Sequence, residues 1–127
     1  MKECTMAKRI LVADDSAAIR QSISYILSQA GYEVQDAADG EEALEKLSRG
    51  PKADLVISDV NMPRIDGIEL IRRLRALPDY RFTPILVLTT DTQGSQMQEG
   101  RRAGATGWII KPFNADKLLG IVEKVID

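Results

Sequence analysis

Asp54-Leu55-Val56-Ile57-Ser58-Asp59-Val60-Asn61-Met62-Pro63-Arg64-Ile65-Asp66-Gly67 is the stretch around which the rest of the chain reads. Leu55, Val56 and Ile57 form a short continuous apolar run, the pattern of a strand covered on both faces and therefore central and parallel. That strand delivers Asp59 to its carboxyl end, and Met62-Pro63 and Asp66-Gly67 interrupt regular structure before a helix begins. In an open α/β sheet, ligands sit in the crevice outside the carboxyl ends of the strands, which places Asp59 where chemistry happens. Taken alone, such an aspartate reads more readily as a solvated or helix-capping residue. The choice between the two rests on the rest of the chain.

With 127 residues the chain fits one domain, able to bury about two thirds of its unfolded surface. A net charge of -2 and a pI near 5.2 do not suggest a nucleic-acid partner. Arg72, Arg73, Arg75, Arg101 and Arg102 are interleaved with acidic or apolar residues and are assigned to solvated helix surface. No apolar run approaches the ~20 residues of a membrane span, and no signal-peptide pattern is present, so a cytoplasmic location is expected. Cys4 is the only cysteine, which rules out an internal disulfide and a thiolate metal cluster. Histidine is absent, which removes Ser-His-Asp and Cys-His triads, imidazole-bound zinc and any role as a phosphohistidine donor. Chemistry is left to carboxylates, hydroxyls and a lysine.

Residues 1–7 show no periodicity, contain a second possible start at Met6, and are expected to be a disordered leader; the domain proper runs from 8 to 127. Ile10 to Ala13 predict a first buried strand ending in Asp14-Asp15. A helix comes next over about Ser16 to Ala30, with Ile19, Ile23, Ile26, Leu27 and Ala30 on one face, and Gly31 beyond its end. Glu33 to Ala37 predict a second strand, and Asp39-Gly40 open a short helix burying Ala43, Leu44 and Leu47. Ile68, Leu70, Ile71 and Leu74 mark a third helix that stops before Pro78. Ile85 to Leu88 form a fourth strand leading into Thr89-Thr90-Asp91. The fourth helix, within Ser95 to Ala103, has only Met97 and Ala103 as apolar anchors and is the weakest. Trp108 to Ile110 form the last strand, running into Lys111-Pro112-Phe113. Asn114 caps a final helix carrying Leu118, Leu119, Val122, Val125 and Ile126. Five strand-helix units predict a doubly wound parallel α/β sheet with helices on both faces; patterning alone leaves the strand order open.

Four of the five strands end in a group suited to phosphate chemistry: Asp14-Asp15, Asp59, Thr89 and Lys111. In a parallel sheet these ends converge on one rim. Two carboxylates about 4 Å apart repel by roughly 4 kcal/mol at an effective dielectric near 20, so the cluster needs a cation or a proton. Mg2+ suits it, because that ion takes a few carboxylates, keeps waters and completes its shell with phosphate oxygens. With that charge offset by the ion and Lys111, Asp59 can act as nucleophile toward a phosphoryl group. Singly, Thr89 could merely end a strand and Lys111 could be a surface lysine; together at successive strand ends they point to one site.

Asp14-Asp15, Asp59 with Asn61-Met62-Pro63 and Asp66-Gly67, Thr89, and Lys111-Pro112-Phe113 closely resemble the motifs of response-regulator receiver domains, over essentially Lys8 to Asp127. The likeness is greatest to the stand-alone chemotaxis (CheY-like) type. The resemblance, not the pattern, implies a flavodoxin-like strand order 2-1-3-4-5. It implies Asp59 as phosphoacceptor, Asp14, Asp15, Asp59 and the Asn61 carbonyl as Mg2+ ligands, and Thr89 and Lys111 as phosphoryl contacts. It implies a sensor histidine kinase as donor, with the side chains of Asn61 and Asp91 influencing the lifetime of the phosphoryl group. Trp108 stands where the family usually has Tyr or Phe as a switch residue, and its indole is larger and needs an N–H partner when buried. It is expected to switch; a fixed, partly exposed packing residue is the alternative.

The reading expects no output domain, so that the signal leaves by phosphorylation-dependent binding at the fourth helix, fifth strand and fifth helix of a monomer. For chemotaxis the partners are the kinase, the flagellar motor switch and a phosphatase. Another single-domain regulator or a phosphorelay intermediate is the nearest alternative. A haloacid-dehalogenase-type aspartyl-phosphate phosphatase would carry a second Asp where Asn61 stands, and a flavin carrier would not place Asp14-Asp15 against a phosphate. A receiver-like scaffold working without phosphorylation is separated from these by assay.

Overall fold

The computed structural model describes residues 8–62, 64–90 and 94–126. The leader over residues 1–7, Pro63 of the central loop and Asp91 lie outside them. Five parallel strands form one sheet in the order β2-β1-β3-β4-β5: β1 is Arg9–Ala13, β2 Glu33–Ala37, β3 Leu55–Asp59, β4 Ile85–Thr89 and β5 Gly107–Ile110. The helices are α1 (Ala17–Gln29), α2 (Gly40–Arg49), α3 (Gly67–Arg75), α4 (Ser95–Ala103) and α5 (Ala115–Val125). A short 3-10 turn, Pro78–Tyr80, precedes β4.

Sequence composition tracks position in the sheet. β3 and β4 are apolar over most of their length and buried at every residue, whereas the edge strand β2 alternates exposed and covered positions. One apolar layer packs Leu11, Val56, Ile85 and Val87 against Leu47 of α2 and Leu70, Ile71 and Leu74 of α3, with Ala103 of α4 beside it. The opposite layer packs Ile10, Ile57, Leu88 and Ile109 against Ile23 and Leu27 of α1 and Leu118 and Val122 of α5. Each fully buried Leu or Ile contributes about 1.5–3 kcal/mol of transfer free energy, so these layers hold the rim in place. No helix of the described residues is long and apolar enough to cross a membrane.

Helix boundaries are set by side-chain caps. Ser16, Asp39, Asp66 and Asn114 each accept a hydrogen bond from a backbone N–H three residues on, contributing about 1 kcal/mol apiece. α4 differs: its N-cap is Gly94, which has no side chain to offer, and its first turn carries no acid. The helix approaches the sheet through buried Gly100, against Ile68 and Val87.

Three expectations need correction. Ala30 is exposed, because α1 ends at Gln29 and Ala30 is already its C-cap, beyond the last buried residue of the helix, Leu27. Leu44 is only partly buried. Arg75 is not a solvated side chain. Its guanidinium donates to the carbonyls of Gly104 at 2.8 and 3.0 Å, Tyr80 at 2.6 Å, Thr83 at 2.7 Å and Arg81 at 3.2 Å. It ties the end of α3 to the segment before β4 and to the α4–β5 turn.

Candidate functional site

Strand register builds the rim. Ala13 lies opposite Ser58 and Leu88 opposite Asp59, so Asp14, Asp59 and Thr89 leave the sheet at nearly one level, and Lys111 comes directly after Ile110, the partner of Thr89. The structure therefore brings together all four strand ends singled out in the sequence.

Asp14 is fully buried and each of its polar groups is engaged. Its N–H donates to the Ala37 carbonyl at 3.1 Å, Oδ1 accepts from the Ser16 N–H at 2.8 Å, and Oδ2 accepts from Lys111 Nζ at 3.3 Å. Its carbonyl accepts from Arg20 Nη1 at 2.6 Å. Asp59 is 7% exposed, and its Oδ1 lies 3.3 Å from the same Lys111 Nζ. Asp15 is exposed at the edge of the pocket. Asp14, Asp15 and Asp59 each offer a carboxylate oxygen, and these oxygens lie within 4.8 Å of one another.

The electrostatics come from this crowding. Burial, and next the neighbouring charge of Asp14, push the Asp59 carboxyl above the usual aspartate range; Lys111 and the backbone N–H of Asn61 oppose the shift without cancelling it. One ammonium thus serves two buried carboxylates, with a third at the mouth. An all-oxygen donor set with unbalanced negative charge fits a small hard divalent cation such as Mg2+.

The Asp66-Gly67 pair does more than break the chain. Asp66 Oδ1 caps α3 by accepting from the Glu69 N–H at 2.8 Å. A Cβ at Gly67 would collide with the Asp59 carbonyl, so only glycine lets α3 start against the end of β3. Arg64 turns the intervening loop in the left-handed region, with φ 69°. Asn61 is exposed on that loop.

Thr89 ends β4 almost completely buried, and its carbonyl accepts from the Lys111 N–H at 2.8 Å. The Lys111-Pro112 bond is cis. Trp108 is half-buried on β5 opposite Val87, packed against the α2–α3–α4 layer. The exposed Arg101 guanidinium lies 5.0 Å from the centre of its ring, in cation–π range. Two features have no signature in the sequence. One is an apolar groove of about 460 Å³ beside Lys111, lined by Ala18, Ile19, Ser22, Thr90, Pro112 and Phe113. The other is Arg20, which in sequence looks like any charged residue on an amphipathic helix.

Comparison with known proteins agrees with this fold. The response regulator receiver domain family matches residues 10–123. The transcriptional regulatory protein PdtaR of Mycobacterium tuberculosis is 38% identical over 125 residues, which is 98% of this chain and 59% of that protein. Among solved structures, chemotaxis response regulator CheY4 of Vibrio cholerae superposes with a TM-score of 0.91 at 48% identity, covering 94% of this chain and 99% of that one. The receiver domain of sensor histidine kinase PA1611 from Pseudomonas aeruginosa has a magnesium ion coordinated in its active-site cleft. It superposes with a TM-score of 0.88 at 28% identity, covering 95% of this chain and 98% of that one. The chain spans about half the length of the curated relatives it matches.

Proposed function

The chain belongs to the response-regulator receiver family, and from that premise we propose that Asp59 is its phosphoacceptor, charged by a partner histidine kinase, with protein binding as the output. Receiver domains are phosphorylated by histidine kinases and bind Mg2+ at an acidic pocket. The observation that carries the reading is the shared Lys111 ammonium, 3.3 Å from both Asp14 and Asp59 beside an exposed Asp15.

In this reading an Asp59 oxygen attacks the phosphorus of a phosphohistidine. The P–O bond forms as the P–N bond breaks, and the leaving imidazole takes a proton from solvent. Lys111 then pairs with phosphoryl oxygens, and the Thr89 hydroxyl donates to another. Asp14, Asp15, Asp59 and the Asn61 carbonyl hold the Mg2+, which when bound supplies positive charge against the incoming phosphoryl group. Movement of Thr89 is read out at Trp108, beside the poorly capped α4. Asn61 and Asp91 set the lifetime of the product.

The domain is residues 8–127, acting as a cytoplasmic monomer. Its output is of the chemotaxis kind, toward the flagellar motor switch with a phosphatase to reset it; the 48% identity and TM-score of 0.91 with CheY4 support this. A second reading, the receiver of a transcriptional regulator, is supported by PdtaR. Phosphorylation-dependent binding to the motor switch protein separates the two.

Intact mass spectrometry with acetyl phosphate and Mg2+ should show a gain of one phosphoryl group that is absent in Asp59→Asn, together with a change in Trp108 fluorescence. Thr89→Ala should keep the mass gain and lose the fluorescence change. No adduct from acetyl phosphate or from a competent kinase would overturn the assignment.

A further inference from the structure

Arg20 lies on α1, outside the set of groups assigned above to metal and phosphoryl binding. It reaches back over the first turn of its helix, placing Nη1 2.6 Å from the Asp14 carbonyl and Nε 3.4 Å from Asp36 Oδ2. Its side chain is only 18% exposed. Asp36 is held in turn by Lys46, whose Nζ donates to the Asp36 carbonyl at 2.5 Å. The guanidinium thus bridges the turn after β1 to the edge strand β2.

That carbonyl matters because it is bonded to the next residue of the site, Asp15. The peptide unit is planar, so the direction of the Asp14 C=O fixes the N–H and Cα of Asp15. The N–H and carboxylate of Asp14 are secured by Ala37, Ser16 and Lys111, leaving its carbonyl as the handle on Asp15. The Asp15 carboxylate makes no hydrogen bond or ion pair among the described residues, yet one of its oxygens lies within 4.8 Å of those of Asp14 and Asp59. Backbone direction is what brings it there.

We propose that Arg20 is a positioning residue for the divalent-cation site, acting through the Asp14–Asp15 peptide to aim the Asp15 carboxylate at Asp14 and Asp59. This rests on reading the three aspartates as a Mg2+ site. The sign of the effect sets positioning apart from plain electrostatics. A guanidinium near a cation site repels the cation, so removing its charge should tighten Mg2+ if charge alone counted. Positioning makes the opposite demand. Lysine would not substitute well, because an ammonium lacks the fork that spans the Asp14 carbonyl and the Asp36 carboxylate together.

The test is calorimetric titration of the unphosphorylated protein with Mg2+ alone, for wild type, Arg20→Gln, Arg20→Lys, Asp15→Asn and the Arg20→Gln/Asp15→Asn double variant. Thermal melts check that each is folded. Arg20→Gln should weaken Mg2+ about tenfold, the scale of losing an outer-shell partner of a metal ligand, with Arg20→Lys between it and wild type. With Asp15 already replaced, the same change should cost less than about twofold, because both act through one carboxylate. Unchanged or tighter Mg2+ binding in Arg20→Gln would overturn the inference, as would an equal loss in both backgrounds. A wild type that does not bind Mg2+ would instead overturn the site reading beneath it.

Discussion

The two ends of the sheet treat buried polar groups in opposite ways. At the amino end, Arg75 gives its guanidinium protons to backbone carbonyls of Tyr80, Thr83 and Gly104, all at 3.0 Å or less. Nearby, the Tyr80 hydroxyl donates to the Leu47 carbonyl at 3.0 Å and accepts from the Ala53 N–H at 3.2 Å. Donors meet acceptors, and the one guanidinium charge faces neutral carbonyls and not a like charge. At the carboxyl end, Asp14 and Asp59 share Lys111, and Asp59 holds its proton more tightly than an ordinary aspartate. One end lowers the free energy of the fold; the other raises it and leaves an acidic pocket whose donor set suits a divalent cation.

That contrast can be broken by substitution. Arg75→Ala should be the most damaging change, since it strands several carbonyls that the guanidinium satisfied; a loss of about 2–4 kcal/mol is expected in urea unfolding. Adduct formation with acetyl phosphate should persist at temperatures where the variant remains folded. If Arg75→Ala instead abolished the adduct in folded protein, the two ends would not be separable. Tyr80→Phe should cost less, about 1–2 kcal/mol, because it leaves one N–H and one C=O without a partner while preserving the packing of the ring.

Asp59→Asn should have the smallest effect on stability and the opposite sign, raising Tm by several degrees at pH 7 in the absence of Mg2+ while abolishing the adduct. The pH dependence comes from the raised native carboxyl. Below the ordinary aspartate range both folded and unfolded chains are protonated there, and Asp59 imposes no penalty. As pH rises toward the higher native value the unfolded chain ionises first, stability falls, and above that value the penalty is complete. The advantage of Asp59→Asn should therefore grow with pH across that interval and vanish in acid. A variant no more stable than wild type at pH 7 would remove the electrostatic half of the contrast.

Much of this is legible in residue patterns. Apolar runs locate the strands, helical spacing locates the helices, and Asp14, Asp59, Thr89 and Lys111 are visible as chemistry-bearing groups at strand ends. Helix starts are legible because caps act locally, as when Asn114 accepts from the Lys117 N–H three residues on. Ala30 reads wrongly as a core residue because a helical period does not show which turn is the last. Arg75 reads wrongly as solvated because its partner Gly104 lies 29 residues away, and one charged residue on a helix looks like another until the chain has closed. Arg20 is hidden for the same reason.

The sequence by itself determined the fold class and the chemical types gathered at the rim, because side-chain periodicity and strand-end position are properties of neighbouring residues. Tertiary structure decided how the charges are shared: that one ammonium serves both Asp14 and Asp59, that Gly67 must be bare to let α3 meet Asp59, and that Arg20 holds the turn carrying Asp15. Those depend on distances between segments far apart in the chain. Coulomb energy, steric overlap and hydrogen bonding are functions of such distances and not of residue order.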